Sequence, residues 1–182
     1  MKKERKESVS KCLAFAALFA ALCTVGTYVI VIPLPNGYFN VGDVFVLLAG
    51  WCLGAFYGGL AAAVGSGLAD LISGYAIYAP ATFFIKGMVA VSAYYLYRLF
   101  KKCITNDKVD FAPRLLSALI AETVMFVGYF LFECALYGAA AGIVALPGNL
   151  MQGGICAVGG TLLVCALYPV RSVKKLFIRL YS

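Results

Sequence analysis

The chain has no histidine and little charge, with Asp, Glu, Lys and Arg making up only 13% of its 182 residues. Without histidine the commonest general base and a common metal ligand are missing, and a Ser-His nucleophilic site is excluded. Gly65-Ser66-Gly67 therefore reads as a place of close helix packing; it also lacks the x-Gly that would complete a nucleophile elbow. No Walker A loop is present, so the chain carries no nucleotide-driven engine. The seven cysteines form no C-x-x-C pair and mostly lie in apolar runs, where cysteine acts as a small hydrophobe. No carboxylates or cysteines cluster at metal-ligand spacing. These absences disfavour an enzyme; among enzymes, only a carboxylate-based intramembrane one is left open.

Apolar length is what the chain does have. Hydrophobic residues make up 63% of it, and its mean hydropathy is +0.93. An ordinary soluble domain is about half apolar and about a quarter charged. A water-soluble fold of this size cannot hide so much apolar surface, whereas lipid tails remove the need to. The pattern predicts an all-α membrane protein, a single domain over residues 1–182 with six transmembrane helices, a short basic segment at 1–8 and a basic tail at 171–182. The expected spans are residues 9–32, 44–57, 59–73, 81–100, 114–137 and 149–169. The second and third, at roughly 15 residues, fall short of the ~20 that cross a full hydrocarbon core. Their link at Tyr57-Gly58-Gly59 suits a tight antiparallel helical hairpin. Outer loops are expected at 33–43, at 74–80 and in the Gly/Ala-rich stretch ending at Pro147, with 101–110 as the long polar link on the other side. A signal peptide also begins basic and then apolar, but the run from Cys12 to Ile32 is too long for an h-region and reads as a retained span.

The net charge of +7 follows this topology and does not make a nucleic-acid-binding face. Lys2, Lys3, Arg5 and Lys6 precede the first span and Lys11 lies at its very start. Arg98, Lys101, Lys102, Lys108 and Arg114 flank the link between the fourth and fifth. Arg171, Lys174, Lys175 and Arg179 follow the sixth. With six spans all three clusters fall on one face, which the positive-inside rule assigns to the cytoplasm. The cations also suit anionic headgroups.

Lys86 is the one remaining cation, and it lies away from the span ends where the three clusters sit. With Asp43, Asp70, Glu122 and Glu133 it forms a set of groups that are costly in a bilayer and by default mark function. The span order places Asp43 at the outer start of span two and Asp70 near the outer end of span three. Lys86 lies about a turn and a half inside the outer end of span four, and Glu133 about one turn inside that of span five. Asn40, Asn149 and Gln152 join them at that level, while Glu122 lies alone in the inner half. One reading is structural, with Lys86 pairing Asp70 or Glu133 to hold helices together and Asp43 serving as an N-cap. The other is a polar pocket open to the outside, with Tyr38, Phe39, Tyr75 and Tyr78 as an aromatic lid. Tyrosines also favour membrane interfaces without any ligand. Ala16/Ala20 and Ala17/Ala21 in span one, like Gly50, Gly54 and Gly58, have the four-residue spacing that lets helices approach closely, inside the bundle or against a partner.

The chain resembles the S components, or substrate-binding subunits, of energy-coupling factor (ECF) vitamin transporters. The resemblance covers nearly the whole chain and rests most on Gly37-Tyr-Phe-Asn-Val-Gly-Asp43, on Gly67-Leu-Ala-Asp-Leu-Ile-Ser-Gly-Tyr-Ala-Ile-Tyr-Ala-Pro80, on Phe84-Ile-Lys-Gly87 and on the alanine pairs. It implies a prokaryotic plasma-membrane subunit that captures a water-soluble vitamin from outside, has no cofactor of its own, and docks on a transmembrane coupling protein bearing two ABC-type ATPases. It implies docking through Ala16, Ala17, Ala20 and Ala21. It places the binding site on Asn40, Lys86, Glu133, Asn149 and Gln152, with Tyr38, Tyr75, Tyr78 and Asp70 around them. The subgroup it is similar to takes pyridoxine, hydroxymethylpyrimidine or riboflavin. A pyridoxine- or pyrimidine-like ligand is the first expectation and riboflavin the second. From a different class, an autonomous proton-coupled permease or channel would use Glu122 and Glu133 as a relay.

Overall fold

The computed structural model describes residues 2–34, 37–104 and 110–167. The expected basic tail at 171–182, Lys108 and the end of the sixth span lie outside the described residues. Five helices and one strand pair follow in order: α1 (Lys2–Val29), β1 (Val31–Leu34), β2 (Gly37–Asn40), α2 (Gly42–Ile72), α3 (Ala79–Cys103), α4 (Phe111–Tyr137) and α5 (Ala139–Leu167). Four stretches, Val9–Val29 of α1 together with α2, α4 and α5, are long and apolar enough to cross a membrane. Helix α3 has the length, at 25 residues, but carries Lys86, Arg98, Lys101 and Lys102.

Three of the expected boundaries are corrected. The second and third spans form one element, α2, broken at Gly54, whose φ of 80° and ψ of −177° are not helical. That backbone region is essentially open to glycine alone. The chain doubles back there, because a Cβ on Gly58 would stand 2.3 Å from the Ala49 carbonyl oxygen. The turn therefore comes three residues earlier than Tyr57-Gly58-Gly59, and Gly58 is the point of contact between the two limbs. The third outer loop shrinks to Gly138 (φ 89°), with α5 starting at Ala139 and carrying Pro147 inside it. Alanine is the best helix former, and an apolar, packed setting tolerates an internal proline. The first outer loop is not helical or irregular but a short antiparallel pair, Val31 opposite Asn40 and Ile32 opposite Phe39. Pro33 fits because β1 is an edge strand.

The two limbs of α2 form the centre of the bundle, packed on α1 and α3, while α4 closes against α3 and α5. Trp51, Leu47, Val46, Val89, Met125 and Val164 are buried between them. Large apolar side chains such as Phe56, Phe84 and Leu131 point outward at 74%, 71% and 61% exposure, as suits lipid and not water. Gly50 lets α2 and α3 touch, since a Cβ there would lie 2.3 Å from the Ala90 carbonyl oxygen. Gly50→Val is therefore expected to destabilise by about 1–3 kcal/mol through overpacking. Thermal unfolding of the detergent-solubilised protein checks it, and an unchanged midpoint contradicts the apposition.

Candidate functional site

Each element carries polar residues to the same end of the bundle. On β2, Tyr38 and Asn40 share a face because strand side chains alternate. Phe39 points the other way, is buried at 5% exposure and does not line the cavity, so it leaves the expected lid. Helix periodicity places Ser66 with Asp70 on α2, Thr82 with Lys86 on α3, Tyr129 with Glu133 on α4, and Asn149 with Gln152 on α5. Together with Thr27, Tyr75 and Tyr78 they enclose a cavity of about 450 Å³, counting its open mouth.

The floor is a closed polar network. Lys86 Nζ donates to both Asp43 oxygens at 2.6 and 2.7 Å, and the two residues are 3% and 0% exposed. Gln152 Nε2 donates to Asp43 Oδ2 at 2.6 Å, and its Oε1 accepts from the Asn40 backbone N–H at 3.0 Å and from Asn40 Nδ2 at 3.3 Å. Asn40 Oδ1 in turn accepts from the Gly42 N–H at 2.9 Å. The expected partners of Lys86, Asp70 and Glu133, are thus corrected to Asp43. Nor is Asp43 an N-cap: Val41 holds that position without a side-chain cap bond, and Asp43 turns inward. A buried cation in low dielectric needs a charge partner and saturated hydrogen bonds, and only the start of α2 supplies both here.

The mouth is aromatic. Tyr38 Oη donates to Asp70 Oδ1 at 2.5 Å. Burial, reinforced by the Asp70 charge, pushes the Tyr38 phenol up, so it keeps its proton as the donor. Ring contacts run from Tyr38 to Tyr75 at 4.7 Å, to Tyr78 at 6.3 Å and on to Phe132 at 5.4 Å between centroids. Below them Thr82 and Tyr129 share a 2.9 Å hydroxyl hydrogen bond, and Lys86 Nζ sits 5.2 Å from the Tyr129 ring centroid. Among the described residues, Ser66 Oγ, Asp70 Oδ2, Glu133 Oε2 and Asn149 Nδ2 are buried without a hydrogen-bond partner. All four residues line this cavity.

Asn40, Lys86, Glu133, Asn149, Gln152, Tyr38, Tyr75, Tyr78 and Asp70 are thus all brought to one space. Sequence reasoning passed over Thr27, Ser66, Thr82, Tyr129 and the floor role of Asp43. A signal existed for three of these: Ser66, Thr82 and Tyr129 each precede a singled-out ionisable residue by one turn on the same face. Gly65-Ser66-Gly67 does pack closely, with Thr24 Oγ1 donating to the Gly65 carbonyl at 2.8 Å, but Ser66 also faces the cavity. Glu122 does not line the cavity; it is 4% exposed, with no hydrogen-bond partner for its carboxylate oxygens among the described residues.

Among the described residues, the cations other than Lys86 lie at the opposite end. There Arg114, 1% exposed, stacks on Tyr97 at 4.3 Å and Trp51 at 5.3 Å. Tyr97 Oη donates to Asp110 at 2.7 Å, and Lys101 pairs with the same carboxylate. Arg114 is therefore a buried clamp among α2, α3 and α4, not the surface charge the clustering suggested. The alanines of α1 divide as well. Ala16 is buried and Ala20 half-buried toward α2, while Ala17 and Ala21 are exposed.

The family described as ECF-type riboflavin transporter, S component, matches residues 8–169. A Pyrococcus woesei protein described as "Uncharacterized protein in gap 3'region" is 35% identical over 141 residues, 75% of this chain and 89% of that one. A solved structure described as "Structure and mechanism of the S component of a bacterial ECF transporter" shares the fold, with a TM-score of 0.68 and 23% identity over 88% of this chain and 96% of that one.

Proposed function

The chain belongs to the family of ECF-type riboflavin transporter S components, and from that premise we propose that it captures riboflavin or a related heteroaromatic vitamin in the Lys86–Glu133 cavity. Members are substrate-binding membrane subunits of transporters, not enzymes, and work with a coupling component and ATPases. Riboflavin moves ahead of pyridoxine and hydroxymethylpyrimidine because the matching family is described by it. The observation that carries the reading is a half-open cavity whose floor is tied by one buried ion pair and whose mouth is ringed by tyrosines, at the end of the bundle away from the cations. Tyrosine faces stack on a flat ring, and convergent polar groups orient it.

The same polarity supports a topology in which the two limbs of α2 cross as short spans, for six crossings in all. The Lys11, Lys101 and Arg98 end then faces the cytoplasm, and the cavity opens outward. We infer a coupling protein with two ATPases as the working partners, and Ala17 and Ala21 as their contact.

Mass spectrometry of small molecules released from the purified protein tests the capture reading. One bound vitamin per chain is expected; the absence of any co-purified vitamin, together with no binding of added riboflavin, pyridoxine or hydroxymethylpyrimidine, overturns it. The autonomous-permease reading draws on the unpartnered Glu122. Glu122 and Glu133, however, lie about 16 Å apart along α4, with the apolar Met125 on the buried face between them. No uptake is expected from the chain alone in ATP-free liposomes, and accumulation there favours the permease.

A further inference from the structure

We propose that the inner end of α3 carries a site for the headgroup of an anionic phospholipid, formed by Arg98 and Lys102. The fold leaves this stretch of helix uncovered. Helix α2 reverses at Gly54, where a Cβ would lie 3.7 Å from the Tyr94 ring. Past the level of that turn α3 runs on from Tyr95 to Cys103, a further 13 Å or about that. One face of the overhang is filled, because Tyr97 turns inward to Asp110 and Arg114. The neighbouring face carries Tyr94, Arg98 and Lys102 at four-residue spacing, and both cations on it are exposed.

Arg98 is held unlike an ordinary surface cation. Long cationic side chains near the end of a membrane helix normally stretch out toward water. Arg98 bends back along α3 instead: Nη1 donates to Tyr94 Oη at 3.0 Å, and the guanidinium carbon stands 5.5 Å from the Tyr94 ring centroid. Tyr94 is backed by the ring of Tyr95, 5.1 Å away between centroids. Tyrosines gather where the apolar belt meets the headgroups, so the guanidinium is fixed at that border with most of its donors left over. Its charge is also left over. Lys86 and Lys101 are matched by Asp43 and Asp110, and Arg114 is buried, whereas Arg98 and Lys102 have no ion pair among the described residues. A guanidinium fork suits two oxygens of one phosphate, and Lys102 adds a second positive charge one turn nearer the cytoplasm. The occupant is a lipid because Tyr95 and Leu99, 59% and 55% exposed on the adjoining face, offer an apolar bed for acyl chains.

The test uses the full chain, delipidated in detergent and offered equal amounts of dioleoyl phosphatidylglycerol and dioleoyl phosphatidylcholine. Native mass spectrometry counts the lipid each chain retains. One phosphatidylglycerol per chain is expected, preferred by about twentyfold. Arg98→Gln and Lys102→Gln should each lower that preference by about fivefold, and the double variant should bring the two lipids near parity. Tyr94→Phe removes the hydrogen bond that sets the guanidinium and should lower the preference by about threefold. Lys11→Gln, which changes a cation of the same end carried by α1, should leave it unchanged. The preference is a ratio within one sample, so a loss of folded protein does not distort it. Equal retention of the two lipids, an undiminished preference in the double variant, or an equal fall in Lys11→Gln overturns the site. Displacement of the lipid by glycerol 3-phosphate at like concentration overturns it too, since the cations then hold a soluble anion. None of these outcomes bears on vitamin capture.

Discussion

Lys86→Met is expected to cost about 3–5 kcal/mol of stability, because it strands the Asp43 carboxylate in the bundle without its cation. The residues are 3% and 0% exposed, so water cannot take over the lost interaction. The Gln152 amide still donates to Asp43, but one neutral donor does not offset a buried negative charge. Vitamin affinity falls at least tenfold as well, since Lys86 lines the cavity and its partner holds Gln152, which in turn holds Asn40; tenfold corresponds to about 1.4 kcal/mol. Adding Asp43→Asn removes the stranded charge. The double variant should recover most of the stability but not the affinity. Thermal unfolding and ligand titration on the same samples separate the two effects. Wild-type unfolding of Lys86→Met contradicts the buried pair, and full recovery of binding in the double variant removes Lys86 from the site.

The second large effect concerns transport without binding. Replacing both Ala17 and Ala21 by Phe should leave vitamin affinity unchanged and lower energised uptake by tenfold or more, about 1.4 kcal/mol of lost docking. Both residues are exposed on α1, far along the helix from the hairpin that borders the cavity. Small residues at four-residue spacing admit a second helix closely, and Phe rings hold it away. Ala16→Phe with Ala20→Phe should behave differently. Ala16 belongs to the core and Ala20 packs against it, so that pair is expected to lower the unfolding temperature. Uptake assays in membranes containing the coupling protein and ATPases, beside binding in detergent, distinguish the outcomes. Normal uptake by the Ala17/Ala21 variant contradicts the docking role.

The chemistry of the cavity was largely legible in the chain. Intramembrane charge is rare enough that Asp70, Lys86 and Glu133 stood out individually, and counting turns inward from the loops placed them at a common depth. Their polar neighbours were harder to see, because a Thr, Ser or Tyr in an apolar helix is ordinary until its partner one turn away is known to face inward. The boundaries of α2 and α5 were misjudged for a related reason. Glycine and proline mark where a helix can break, but Gly54 breaks α2 while Pro147 is absorbed within α5.

Composition, then, settles that lipid surrounds most of this molecule, and the order of charged and apolar segments sends the cations to one end and the polar cluster to the other. Those are one-dimensional facts, readable from depth along each helix. Which of four carboxylates receives Lys86, which alanines of α1 turn outward, and where α2 reverses depend on how each helix is rotated against its neighbours. Helix period says which residues share a face, but only contacts such as Gly50 on Ala90 and Gly58 on Ala49 fix what that face meets.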